Sequence, residues 1–226
     1  MLIPPIPPSP PPAPFVATFQ VAWHGITAGD STLALVAAAP GTFTYSSNIK
    51  AHGLFRLVFP DALLQSSTFT LADGHVVPLT YKESGLAHDH SDEVELTFDQ
   101  ASGRVHGTSE KHAVDQPLDA GVQDPMSVQI ELMRQLQAGL VPTQFKLFDK
   151  DQAKEYFYAR ERTEVLKTPL GDIDTVVYRS DRPGSDRVTR LWLAPKFDYL
   201  PLQANRSRNG SVDLSMRILA LTRPPS

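Results

Sequence analysis

One stretch limits the possible folds more than any other: Asp124 to Gly139 is the single convincing helix in a chain otherwise patterned as β-strands. Asp124 suits an N-cap, Pro125 suits the first helical position, and Gly139 followed by Pro142 supplies a stop. Between these signals Met126, Ile130, Met133 and Leu136 make one apolar stripe, while Val128 and Leu132 carry apolar surface onto a second face. A helix that is apolar on two faces has to be enclosed. A lone enclosed helix among many strands implies a sheet curled around it, a container rather than a catalytic scaffold.

The strand pattern starts at Phe15, where Phe15, Ala17, Phe19, Val21 and Trp23 alternate with Val16, Thr18, Gln20, Ala22 and His24. That period of two marks a half-buried strand. Gly25 to Gly29 reads as a turn, after which Thr32–Ala38 and Thr42–Ile49 run as strands around Pro40 and Gly41. Leu63–Leu71 and Val76–Tyr81 flank Asp73-Gly74, Glu93–Phe98 faces Arg104–Thr108 with Phe98 opposite Val105, and Asn209-Gly210 joins the last two strands. Asp-Gly and Asn-Gly are favoured two-residue hairpin turns. A meander of roughly ten to twelve antiparallel strands follows, wide enough to curl into a barrel or half-barrel. The expected fold is therefore mainly β, a curved antiparallel sheet with one main helix, about 124–139, packed on or inside it.

Residues 1–14 contain eight prolines and form neither a helix nor a central strand. They read as a disordered linker ahead of a single β-rich domain over 15–222. Such a spacer commonly stands between a signal or anchor segment and a folded domain, and Met1–Ile3 is too short to be that segment. There is no cysteine, which removes disulfides and thiolate chemistry, and the formal net charge of -4 argues against a nucleic-acid partner. The densest basic stretch, Arg160, Arg162 and Lys167, is interleaved with Glu155, Glu161 and Glu164. With 41% hydrophobic and 20% charged residues, composition indicates neither disorder nor a membrane-spanning body.

Three runs, taken in order, resemble a known family. They are Trp23-His24-Gly25-Ile26-Thr27-Ala28-Gly29, then Gln123-Asp124-Pro125-Met126-Ser127, then Trp192 through Leu202, with Thr168–Thr175 resembling the turn before the family's penultimate block. Together they are similar to the family called domain of unknown function 3108, over about Phe15 to Leu221. The resemblance implies bacterial proteins with an export signal, hence a periplasmic location and a signal segment already removed from this chain. The expected shape is also similar to lipoprotein carriers of the LolA and LolB type, whose concave face holds acyl chains. That comparison rests on fold alone.

Chemical motifs are sparse. Ser47 and Lys50 have Ser-x-x-Lys spacing, but a three-residue step along a strand puts them on opposite faces. No nucleophile elbow or phosphate-binding loop is present. His88, Asp89, His90 and Asp92, with Glu110 and His112 across a hairpin, have the composition of a metal site, of which His88, His90 and Asp92 are the weak candidates. Pairing Phe98 with Val105 puts His106 and His112 on the face of Glu93 and Glu95, so His88 and His90 converge with them only through a bend. The preferred reading has no metal, no cofactor and no catalytic residue.

Phe19, Trp23, Phe98 and Trp192 are aromatics that alternation points mostly inward, and Met126 and Met133 project from the helix. Two readings stand side by side: ordinary core packing, and a partly open cavity between sheet and helix where adaptable methionines meet an acyl chain. The leading functional expectation is a non-enzymatic periplasmic protein binding a hydrophobic or lipid-like envelope component through those six residues. The alternative is an envelope protein-interaction module with a filled core.

Overall fold

The computed structural model describes residues 11–57, 62–85 and 91–224. Pro11–Pro14 take no regular structure, and the rest of the proline-rich tail lies outside the described residues. The first half of the chain forms β1 (Phe15–Trp23), β2 (Ile26–Ala39), β3 (Thr42–Ala51), β4 (Leu63–Ala72), β5 (His75–Ser84), β6 (Val94–Asp99), β7 (Arg104–Ser109) and β8 (His112–Pro117). The helix α1 (Ser127–Gln137) follows. Then come β9 (Gln144–Asp149), β10 (Gln152–Thr168), β11 (Gly171–Asp181), β12 (Arg187–Ala194), β13 (Leu200–Arg208) and β14 (Ser211–Thr222).

All fourteen strands belong to one antiparallel sheet, and every hairpin neighbour in sequence is a neighbour in space. The two meanders are joined by pairing of β1 with β14, which puts the chain's first and last strands in the middle of the sheet and leaves β8 and β9 at its ends. The described strands do not close into a ring. The α1 segment connects the two open ends, and Gln123 makes a parallel bridge to Leu147 of β9, donating its N–H to the Lys146 carbonyl and accepting from the Phe148 N–H.

Turn chemistry accounts for the hairpins. Asp73-Gly74 and Asn209-Gly210 adopt the paired left-handed conformations of a tight hairpin, and Phe98 faces Val105 as alternation requires. The turn after Trp23 is tighter than the sequence implied: only His24 and Gly25 take it, and β2 already starts at Ile26. Gly29 lies inside β2, where an added Cβ would stand 2.1 Å from the Lys50 carbonyl oxygen. Close approach of two backbones, not a turn, is what requires glycine there.

Strand β8 had no sequence signal, because Glu110 and Lys111 form its turn in left-handed conformations without a glycine or asparagine. That turn also corrects the histidine geometry. His112 pairs with Ser109 while Thr97 pairs with His106, so His106 and His112 lie on opposite faces.

Both faces of α1 are used. Met126, Ile130 and Met133 join the larger core cluster with Phe19, Leu96, Phe98 and Phe148, whereas Val128, Leu132 and Leu136 pack with Phe145, Leu147, Tyr158, Tyr178 and Leu193. The helix thus packs into two core clusters, the larger of which draws residues from both meanders and the smaller from the second alone.

Candidate functional site

The helix is fixed by buried polar contacts as well as apolar ones. The Asp124 carbonyl accepts the first helical N–H, from Val128, and its carboxylate Oδ1 accepts the Met126 and Ser127 N–H groups at 2.8 Å each. Asp124 therefore caps the opening turn, as its position suggested, while regular α-helix starts at Ser127 with Met126 as its flanking residue. Its other oxygen takes a hydrogen bond from Ser67 Oγ of β4 at 2.5 Å. Complete burial pushes its carboxyl up to about 6, against the lowering effect of Ser67 and the capped N–H groups. The Schellman pattern closes the other end, Leu140 N–H to the Gln135 carbonyl and Gly139 N–H to that of Leu136.

Midway, Glu131 accepts from the Val76 N–H at 2.7 Å and from Gln135, and contacts His75 Nδ1 at 2.6 Å. Arg134 donates to the Gly74 carbonyl, so successive helix residues grip the β4–β5 turn. Gln123 Nε2 reaches the Val76 carbonyl and Gln137 Nε2 the Asp198 carbonyl. Each of these polar groups holds helix to sheet. His75 with Glu131 and Ser67 with Asp124 are pairings that the sequence did not reveal, since each partner comes from the far side of the helix.

The six residues expected to line a cavity separate into three places. Phe19, Phe98, Met126 and Met133 share the larger core cluster, all buried, with Phe98 edge-on to Phe148. Trp23 is half-buried at the β1–β2 turn, with the Arg206 guanidinium 5.8 Å from its ring centre and Asp213 pairing that arginine. Trp192 is buried but belongs to neither core cluster; Leu191 and Leu193, its chain neighbours, face α1 while Trp192 faces away. Its indole N–H donates to Glu164, and Arg162 stands over its ring. The Arg162 and Trp192 hydrogen bonds hold the Glu164 carboxyl below its ordinary range. Ser47 and Lys50 alternate along β3, one buried and one exposed, which bears out their separation. His88 and His90 lie outside the described residues, and among the described residues no group of three histidines or carboxylates is placed to hold a metal.

Beneath the end of the β10–β11 hairpin lies a cleft of about 380 Å³, lined on the sheet side by Gln20, Gln203 and Arg217 and by the core residues Leu202 and Ile218. Cross-strand pairing aligns Gln20 of β1, Arg217 of β14, Gln203 of β13 and Trp192 of β12 into one row. The first three form the floor. The roof is the far end of the β10–β11 hairpin, residues Leu166 to Pro169. Leu166, Leu170 and Ile173 pack onto the main core cluster and so anchor that overhang. Thr168 Oγ1 locks the hairpin tip by accepting from the Leu170 N–H and donating to the Gly171 carbonyl.

Two β-bulges meet in the cleft. Thr18 pairs with Ala220 and Phe19 with Ile218, which leaves Leu219 as the extra residue of β14. Trp192 pairs with Gln203 and Leu193 with Pro201, which leaves Leu202 as the extra residue of β13. Leu202 and Leu219 both line the cleft. Bulges re-aim side chains and gather near functional sites, and no local sequence pattern announces them.

Comparison with known proteins fits this architecture. The family described as "Protein of unknown function (DUF3108)" matches residues 18–217. A β-barrel-like protein of the DUF1849 domain of unknown function, from Brucella abortus, is similar in fold with a TM-score of 0.56 at 11% identity, covering 95% of this chain and 99% of that one. A protein from Bacteroides fragilis, assigned as exported with a YmcC-like fold, matches at TM-score 0.39 and 11% identity over 92% of this chain and 95% of that one. No curated protein matches this chain.

Proposed function

The chain belongs to the DUF3108 family of proteins of unknown function, and from that footing we propose a non-enzymatic protein of the bacterial cell envelope that holds a hydrophobic or lipid-like component. The periplasmic location draws its support from the family that the sequence motifs resemble. Among the described residues no helix is long and apolar enough to cross a membrane. A non-catalytic role is supported by what the family-like runs do. Gln123 to Ser127 builds the helix start, Gly29 admits the Lys50 carbonyl, and Thr168 to Thr175 ties a hairpin tip. The contacts named for these runs are structural ones, while Thr168 and Pro169 also roof the cleft.

The single observation that carries the binding reading is the 380 Å³ cleft, whose volume falls in the usual range of small-molecule sites. It moves the binding space from the helix, first expected at Met126 and Met133, to the cleft under the β10–β11 hairpin. Native mass spectrometry of protein purified without detergent tests the reading. A retained adduct, or uptake of fatty acids or phospholipids by the stripped protein, is expected. Finding neither an adduct nor uptake refutes it.

A second reading, a protein-interaction module with a filled core, is favoured by the packing of Met126, Ile130 and Met133, each 7% exposed or less. The end strand β8 then offers its free edge for strand addition. Strand-disrupting proline at Gln116 abolishes partner capture if that reading holds and leaves lipid uptake untouched if it does not.

A further inference from the structure

The cleft is built unevenly. Leu166, Pro169, Leu202, Ile218 and Leu219 supply apolar lining, and among the described residues the charged side chains lining it are Lys167 and Arg217. Lys167 comes from the roof and Arg217 from the floor. Neither makes an ion pair among the described residues, although the surrounding cations do: Arg162 pairs with Glu164, Arg190 with Glu161, and Arg206 with Asp213. Asp172 sits opposite Lys167 in the hairpin register, yet the two form no ion pair within 4.0 Å. Sequence proximity to glutamates suggested that Lys167 is neutralised; the fold leaves it unmatched.

A second observation points the same way. Gln203 lines the cleft and stands directly beside Arg217 in the strand register, so its amide shares the cleft floor with that guanidinium. A side-chain amide carries two N–H donors, which suit the oxygens of a carboxylate or phosphate. Cation, amide and cation around an apolar floor match an anionic head group followed by a hydrocarbon chain.

Building on the binding reading above, we propose that the cleft takes an anionic amphiphile, its carboxylate or phosphate oxygens held between Lys167 and Arg217 with Gln203 donating, and its chain on Leu202 and Leu219. Fatty carboxylates and lipid phosphates share this chemistry. Charge-assisted contacts of this kind are each worth about a tenfold change in affinity.

The test is calorimetric titration of the full chain with dodecanoate, dodecyl phosphate and dodecanol, each below its micelle concentration. Dodecanoate or dodecyl phosphate binding at least about tenfold more tightly than dodecanol supports the proposal, and the better of the two names the source. Lys167→Gln and Arg217→Gln are expected to bring that ligand down to the dodecanol level while leaving dodecanol binding unchanged. Both side chains are exposed and unpaired, so the variants keep their fold, which circular dichroism checks. Equal affinity for all three probes, or variants that bind dodecanoate and dodecyl phosphate as the parent does, overturns the anionic head-group assignment and leaves hydrophobic binding intact. Binding of none of the three overturns both.

Discussion

Asp124→Asn separates the two jobs of the helix cap. The aspartate is completely buried and pushed up to about 6 from an ordinary 3.8. Because the folded state holds the proton more tightly than the unfolded chain, folding is favoured where the group is protonated, and stability falls as pH rises through the interval from 3.8 to about 6. A shift of about two units corresponds to about 3 kcal/mol of stability, present in acid and lost by neutrality. Asparagine keeps an acceptor for the Met126 and Ser127 N–H groups and cannot ionise. The stability of the parent minus that of the variant should therefore drop by about 3 kcal/mol between about pH 4 and about pH 7. Urea unfolding followed by tryptophan fluorescence across that range measures it. Two parallel pH profiles would refute the claim that a buried, ionising Asp124 holds the helix to β4. Tyr81 of β5, which senses the Asp124 charge, is pushed up by burial and stays protonated across this range.

Three further outcomes follow from the packing. Gly29→Ala drives a Cβ against the Lys50 carbonyl oxygen and should cost about 3 kcal/mol, seen as a fall in Tm of roughly 10 °C by calorimetry. Glu131→Ala strips the buried Val76 N–H of its acceptor and frees the β4–β5 turn from the helix; a loss of about 3 kcal/mol in denaturant unfolding is expected, and an unchanged midpoint would sink that role. Met133→Ala should cost roughly 2 to 5 kcal/mol in a filled core, whereas a cost near zero would return the binding space to the helix side.

Legibility followed range along the chain. The helix and its two ends were readable because Asp124, Pro125 and Gly139 act on backbone groups within one turn of themselves. Its two apolar faces correctly implied enclosure, and each now has its own core cluster. Hairpins at Asp73-Gly74 and Asn209-Gly210 were equally plain, whereas β8 escaped notice because Glu110 and Lys111 turn the chain without a favoured turn residue. Alternation placed Phe19 and Phe98 in the core. Trp192 is buried as well, but beside Glu164 and Arg162 and outside both core clusters, since which face of β12 meets the helix depends on the rest of the sheet.

The candidate site was invisible for the same reason. Gln20 and Arg217 stand side by side only because β1 pairs with β14, strands from opposite ends of the sequence. Leu202 and Leu219 face the cleft through bulges, and Lys167 reaches it on a hairpin folded over three strands away from its own. Sequence alone determined the strands, most of the turns and the enclosed helix, because dihedral preferences and side-chain alternation operate over a few residues. Tertiary structure decided the order of the sheet, the pairing of its two halves and the placing of unmatched charge over an apolar floor. Those depend on packing summed over the whole molecule, in which strand partners far apart in the chain are selected together.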